Sequence, residues 1–224
     1  MKKMLLVAAA AALATTSYAA PLSSSANTGA KAGAKPISNQ AVLYDQNSDD
    51  NGVGIVSQNF EATFDAYDAQ GADDFTVPAG SCWKITSVDV TGVYFNGSGP
   101  AGSVNVTFYK NKGGAPNEGK IIAAFTNVVP TDSGGSFSIA LPSAVKAKPG
   151  KYWVSVQANL DFFVGGQWGW ETRNTQAGTA GMWKNPGGGF GTGCSAYGDM
   201  ITCLGALGQG PDYMFSLGGK SKAC

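Results

Sequence analysis

Hydrophobic and polar residues alternate with a period of two along most of the chain from Val42 onward. Val104, Val106 and Phe108 alternate with Asn105, Thr107 and Tyr109, and Phe137, Ile139 and Leu141 with Ser138 and Ala140. Tyr152, Val154 and Val156 alternate with Trp153, Ser155 and Gln157, and Tyr213, Phe215 and Leu217 with Met214 and Ser216. Successive side chains of a strand point to opposite faces, so each run predicts a half-buried strand. The stretch Cys82–Phe95 changes phase: Trp83 and Ile85 share one parity, Val88 and Val90 the other. One extra residue near Thr86–Ser87, a β-bulge, would reconcile the two halves. Turn signals separate the runs at Pro78–Gly80, Asn96–Pro100, Gly113–Pro116, Asp132–Gly135 and Lys148–Gly150. Short strands, regular turns and no helical period predict an all-β fold, an antiparallel β-sandwich of jelly-roll type, with a closed barrel as the alternative. No repeat of solenoid or propeller length is present.

Composition narrows the chemistry. The 224 residues carry 15 basic and 15 acidic side chains, 32 glycines, four cysteines and no histidine. Zero net charge argues against a nucleic-acid partner, which requires a basic surface to displace counterions. Without histidine there is no Ser-His-Asp or Cys-His nucleophile and no His-ligated metal. Any enzyme is thereby restricted to carboxylates, and any metal site to oxygen or cysteine ligands.

The first segment reads as an address. Lys2 and Lys3 precede an apolar stretch, Met4–Leu13, too short to span a bilayer, and small residues Ser17 and Ala19 mark a cleavage site. Residues 1–19 are therefore expected to be a signal peptide of bacterial type, which places the mature chain in the periplasm or outside the cell. No later segment is long or apolar enough for a membrane span. Removal of Lys2 and Lys3 lowers the 15 basic groups to 13 against 15 acids. Residues 20–40, rich in Ser, Ala, Gly and Lys, read as a flexible linker. Residues 41–224 are then one β-sandwich domain with long Gly- and aromatic-rich loops.

An exported chain favours disulfides. Of the three possible pairings, Cys194–Cys203 closes a Gly-rich loop, and Cys82–Cys224 ties the last strand down. Between Lys35 and Lys84 there is no basic residue, while Asp45, Asp49, Asp50, Glu61, Asp65, Asp68, Asp73 and Asp74 fall in that gap. Oxygen-bearing Asp45, Asn47, Asp49 and Asn51 at alternate positions suggest a calcium loop, though not an EF-hand, because Asp50 and Val56 stand where Gly and Glu are needed. In the pair Asp73-Asp74, one carboxylate is expected to point inward to loop amides and the other to face water. Paired acids also admit glycosidase chemistry, with Glu61, Asp74, Asp161 and Glu171 as the carboxylates to place.

Four of the five tryptophans lie between Trp153 and Trp183. Sugars stack an apolar face on aromatic rings and offer hydroxyls to amides and carboxylates. Trp168, Trp170 and Trp183 with Gln167, Glu171, Arg173 and Asn174 would supply both functions. Trp168 and Trp170 share a strand face, which is either core or exposed platform.

The run Ala72-Asp-Asp-Phe-Thr-Val-Pro78, with Trp83-x-Ile85, Val88-x-Val90, Gly92-x-Tyr94 and Pro149-Gly-x-Tyr-Trp-Val-Ser-Val156, resembles a β-sandwich module of uncharacterised exported bacterial proteins. The likeness covers roughly residues 42–160. It implies secretion and an all-β fold, and carries no known activity. The function expected from these patterns is that of an exported, non-catalytic binding protein for a polysaccharide or surface glycan. The alternatives are a structural envelope or matrix protein and a carboxylate-dependent glycosidase.

Overall fold

The computed structural model describes residues 41–205 and 210–224, so the signal-peptide and linker readings for 1–19 and 20–40 lie outside the described residues. Sixteen strands occur among them. In chain order they are β1 (Ala41–Asp45), β2 (Asp50–Val56), β3 (Gln58–Asn59), β4 (Gln70–Val77), β5 (Ser81–Val90), β6 (Gly92–Phe95), β7 (Ser103–Lys112) and β8 (Ala115–Val128). They continue with β9 (Thr131–Ser133), β10 (Ser136–Ala147), β11 (Gly150–Asn159), β12 (Gln167–Arg173), β13 (Met182–Lys184), β14 (Gly198–Asp199), β15 (Asp212–Tyr213) and β16 (Phe215–Ala223). Helical turns are brief: a 3-10 turn at Ala62–Tyr67, α1 (Phe162–Gly165) and α2 (Met200–Leu204).

The strands form the antiparallel sandwich that the period of two predicts. One sheet has the order β1-β16-β5-β10-β9, and the other β14-β13-β4-β11-β7-β8, with β3 added to β11 in the single parallel pairing among the described residues. A smaller sheet, β15-β12-β2 with β6 also on β12, closes one side. Ile85, Val88, Val90, Phe137, Ile139 and Leu217 of the first sheet meet Phe75, Val104, Val106, Phe108, Tyr152, Val154 and Val156 of the second in one buried cluster. Burial of each large apolar side chain is worth about 1.5–3 kcal/mol, which makes this the main source of stability.

The bulge sits at Thr86. Gly218 pairs with Ser87 and Gly219 with Ile85, so Thr86 is the unmatched residue of β5. That lets Ile85 on one side and Val88 and Val90 on the other all reach the core. Both expected disulfides form, Cys82–Cys224 and Cys194–Cys203.

The outward face of the second sheet sets up the candidate site. Its positions on β11 are Trp153, Ser155, Gln157 and Asn159, paired with Tyr109, Thr107, Asn105 and Ser103 of β7. Alternation alone would leave this face to solvent. The segment after β12 covers part of it, so Trp153 is buried with Tyr109 and Ala72 beneath Met182 and Tyr197. The Trp153 indole N–H is satisfied by Asn111 Oδ1 at 2.9 Å.

Candidate functional site

Where that covering ends, the outward face opens into a cleft of about 220 Å³. Asn59 of β3, Gln70 of β4 and Gln157 of β11 form its sheet side, Asp65 and Asp68 come from and just after the 3-10 turn, and Lys184, Pro186 and Gly187 form the far wall. The wall is held by Asn185, whose Nδ2 donates to the carbonyls of Ala66 and Asp68, each at 2.8 Å. Gly187 packs so closely that a Cβ there would lie 2.6 Å from Ala66 Cα. Only glycine permits that approach.

Carboxamides continue from the cleft across the sheet. Gln70 Nε2 and Asn105 Nδ2 each donate to Gln157 Oε1 at 3.2 Å, and Asn105 Nδ2 also donates to Asn159 Oδ1 at 2.9 Å. Gln157 Nε2 donates to the Ala69 carbonyl at 3.1 Å. Each amide has both donors and acceptors, so a row of them can exchange bonds with a hydroxylated ligand. Burial raises the Asp68 carboxyl above its ordinary value, the Phe60 N–H opposes this, and nearby Asp65 adds to the rise. Asp65 is exposed, and Lys184 pairs with Glu118 while lying 4.6 Å from the Tyr197 ring centre.

An aromatic row borders the same turn. Ring centres are 5.4 Å apart for Phe163–Phe64, 6.0 Å for Phe64–Tyr67, 5.3 Å for Tyr67–Phe190 and 5.9 Å for Phe190–Trp183. The row surfaces at α1, where Phe163 is 74% and Val164 79% exposed.

The residues singled out in the sequence lie elsewhere. Trp168, Trp170 and Trp183 are core, not platform. Each indole N–H ends on a buried carbonyl, of Gly135 at 2.7 Å, Met214 at 2.7 Å and Val56 at 2.8 Å respectively. Gln167 is buried and accepts from Asn96 Nδ2 at 2.7 Å, and Glu171 is fully buried on β12. Asn174 is exposed, but its side chain ties the chain to Asp49 and Asn51. Arg173 is part-buried, paired across the strands with Asp212, and does not line the cleft. The oxygens proposed for calcium accept protein donors: Asp45 from Asn47 N at 2.8 Å, Asn47 from Thr91 Oγ1 at 2.6 Å, Asp49 from Asn174 and Thr175, and Asn51 from Thr172 at 3.4 Å.

The expectation for Asp73-Asp74 is corrected, because both are buried. Asp73 points inward, accepting from Gln46 Nε2 at 2.9 Å and Tyr213 N at 2.7 Å. Asp74 has the outward parity, yet Lys151 and the Thr179 N–H cover it. Asp212 joins them, taking the Ala177 N–H. This acid cluster lies beneath a loop and holds it down. Glu61 accepts the Phe162 N–H at 2.7 Å, and Asp161 stands at the N-cap position of α1 without a side-chain capping bond. None of the four acids considered for hydrolysis lines the cleft.

The cleft escaped sequence reading because its polar residues have ordinary solvent-facing parity. The one sequence signal was Asp65 and Asp68 within the acidic segment. No protein-family model, curated protein or solved structure matches the chain, so the geometry alone supports a functional reading.

Proposed function

We propose that the chain is an exported, non-catalytic binding protein for a neutral polysaccharide or surface glycan, which it takes in the cleft beside the 3-10 turn. What supports this is the union of an amide- and carboxylate-lined cleft with an aromatic row ending in exposed Phe163. Sugar hydroxyls suit Gln157, Gln70, Asn59 and Asp65, and the apolar face of a pyranose suits an exposed ring. The two disulfides fit the oxidising compartment that export supplies. No helix among the described residues is long and apolar enough to cross a membrane.

Co-sedimentation with insoluble neutral polysaccharides tests it. Gln157→Ala and Asp65→Ala each remove a ligand hydrogen bond of about 1 kcal/mol, so affinity falls roughly fivefold. Phe163→Ala, at a position too exposed to affect folding, weakens binding as well. Binding unchanged in all three variants, or absent for every neutral polysaccharide, overturns the proposal. Calcium at Asp45, Asn47, Asp49 and Asn51 is a separate proposal, resting on oxygen spacing. A melting midpoint that rises in millimolar calcium over chelator supports it, and an unchanged midpoint overturns it.

A further inference from the structure

Five lysines crowd one end of the first sheet, on its outward face. Lys84 of the central strand β5 lies directly opposite Lys146 of β10 on one side and Lys220 of β16 on the other. Lys222 pairs with Cys82 one step further along, and Lys148 follows the end of β10. Lys84, Lys146, Lys148 and Lys222 line a cleft of about 310 Å³ beside the Cys82–Cys224 disulfide. All five side chains are exposed, and none of them forms an ion pair among the described residues.

Like charges directly opposite one another on neighbouring strands are destabilising. Edge protection accounts for part of the set, since lysines on an outer strand deter pairing with another chain. Among the described residues β16 and β10 are the outer strands at this end, because β1 pairs β16 from Ala41 opposite Gly219 onward and β9 pairs β10 only at Ser136–Ser138. Lys84 has no edge to guard. Its backbone runs between those of two other lysines, each about 5 Å away by strand spacing. The row Lys146–Lys84–Lys220 therefore roots three cationic side chains on a base about 10 Å long, which a string of anions would neutralise.

We propose that this lysine end is a docking site for an acidic polysaccharide of the polyuronate type, its carboxylates laid along the row. The patch is three strands wide, which suits one extended chain with a charge on each sugar. Its aromatic neighbours among the described residues, Trp83 and Tyr152, are both buried, so neither ring is offered to nucleic-acid bases. The acids of residues 45–74 and the balanced net charge disfavour a duplex of high charge density. This site is distinct from the amide-lined cleft and takes a different class of sugar.

Affinity electrophoresis of the whole chain in gels containing alginate, dextran or double-stranded DNA tests the assignment. Alginate is expected to retard the protein, dextran to leave this face without effect, and added salt to weaken the retardation. The triple variant Lys84→Gln/Lys146→Gln/Lys220→Gln should lose about tenfold in apparent affinity, the size expected for three exposed ion pairs. Lys112→Gln/Lys120→Gln, also exposed but elsewhere, should retain most of it, and Lys84→Arg should retain binding because it keeps the charge. The triple variant should melt no lower than the parent, since it relieves repulsion. Absence of retardation by alginate, equal retardation of the triple variant, or stronger retardation by DNA than by alginate through the same lysines overturns the proposal. Gln157→Ala should leave alginate retardation intact, while the triple variant keeps any binding to neutral glycan, so the two sites fail separately.

Discussion

Asp212 lies within a buried group of carboxylates that includes Asp73 and Asp74. Burial, and then the charge on Asp74, push the Asp212 carboxyl from 3.8 up to about 6, against the pull of the Ala177 N–H and Arg173. Asp73 is raised well above the usual carboxylate range, first by burial and next by Asp212. A carboxyl raised on folding binds its proton more tightly in the folded state. Its contribution is fully present below 3.8 and is lost as pH rises through about 6 for Asp212, with Asp73 extending the loss to higher pH. Asp49, which is lowered by Thr175 and Asn174, acts in the opposite sense and only in the acid range. The melting midpoint is therefore expected to fall as pH rises from about 4 through about 6, and to go on falling above that as Asp73 ionises. Asp212→Asn should flatten that slope and leave the neutral-pH midpoint equal or higher, and an unaltered slope would remove Asp212 as its origin. A second residue-scale outcome concerns the tryptophans. Trp168 stacks on Phe137 at 4.9 Å and donates to the Gly135 carbonyl. Trp168→Ala should cost about 3–5 kcal/mol in denaturant unfolding, with no specific loss of glycan binding in the folded fraction.

At the scale of elements, strand β5 shows what a sequence can and cannot disclose. Its phase change is local, written in Trp83, Ile85, Val88 and Val90, and the bulge at Thr86 follows from it. Deleting Thr86 would restore an unbroken period of two, with Trp83, Ile85, Val88 and Val90 still on the core face and Ser87 and Ile85 opposite Gly218 and Gly219 without a bulge. The deletion variant is expected to keep a cooperative near-ultraviolet transition, and its loss would show that β5 needs the bend and twist that the bulge supplies. The strands and the Cys194–Cys203 pairing are legible for the same reason, since hydrophobic parity and short loop spacing are local properties, and Cys82–Cys224 then follows as the remaining pair. What covers a face is not local. Trp153 and Asp74 have outward parity and are nevertheless buried, because Met182, Tyr197 and Thr179 arrive from a distant loop. The cleft is hidden likewise: Asn59, Asp65, Gln157 and Lys184 are ordinary surface residues until the β3–β11 pairing and Asn185 bring them together. The lysine row needed the register of β5 with both neighbours before three separate lysines became one line.

Across the whole molecule, the two disulfides close chain loops of very different length. Cys82–Cys224 spans 142 residues and Cys194–Cys203 spans 9. In the chain-entropy model the longer loop contributes about 5 kcal/mol and the shorter about 3 kcal/mol. The long one also fastens β16 to β5 at the end where the facing lysines Lys84, Lys146 and Lys220 repel one another. Losing it removes the loop constraint and leaves that repulsion to fray the strand pair. Cys82→Ser/Cys224→Ser is therefore expected to lower the melting midpoint by roughly 10–20 °C and Cys194→Ser/Cys203→Ser by roughly 6–12 °C for a domain of this size. High salt should recover part of the loss in the first variant and none in the second, because screening relieves only the lysine contact. Differential scanning calorimetry of both variants, at low and high ionic strength, checks the order and the salt response together. A larger loss in the Cys194–Cys203 variant would show that the short Gly-rich loop, which supports the covered face, matters more to the sandwich than the tie on its final strand.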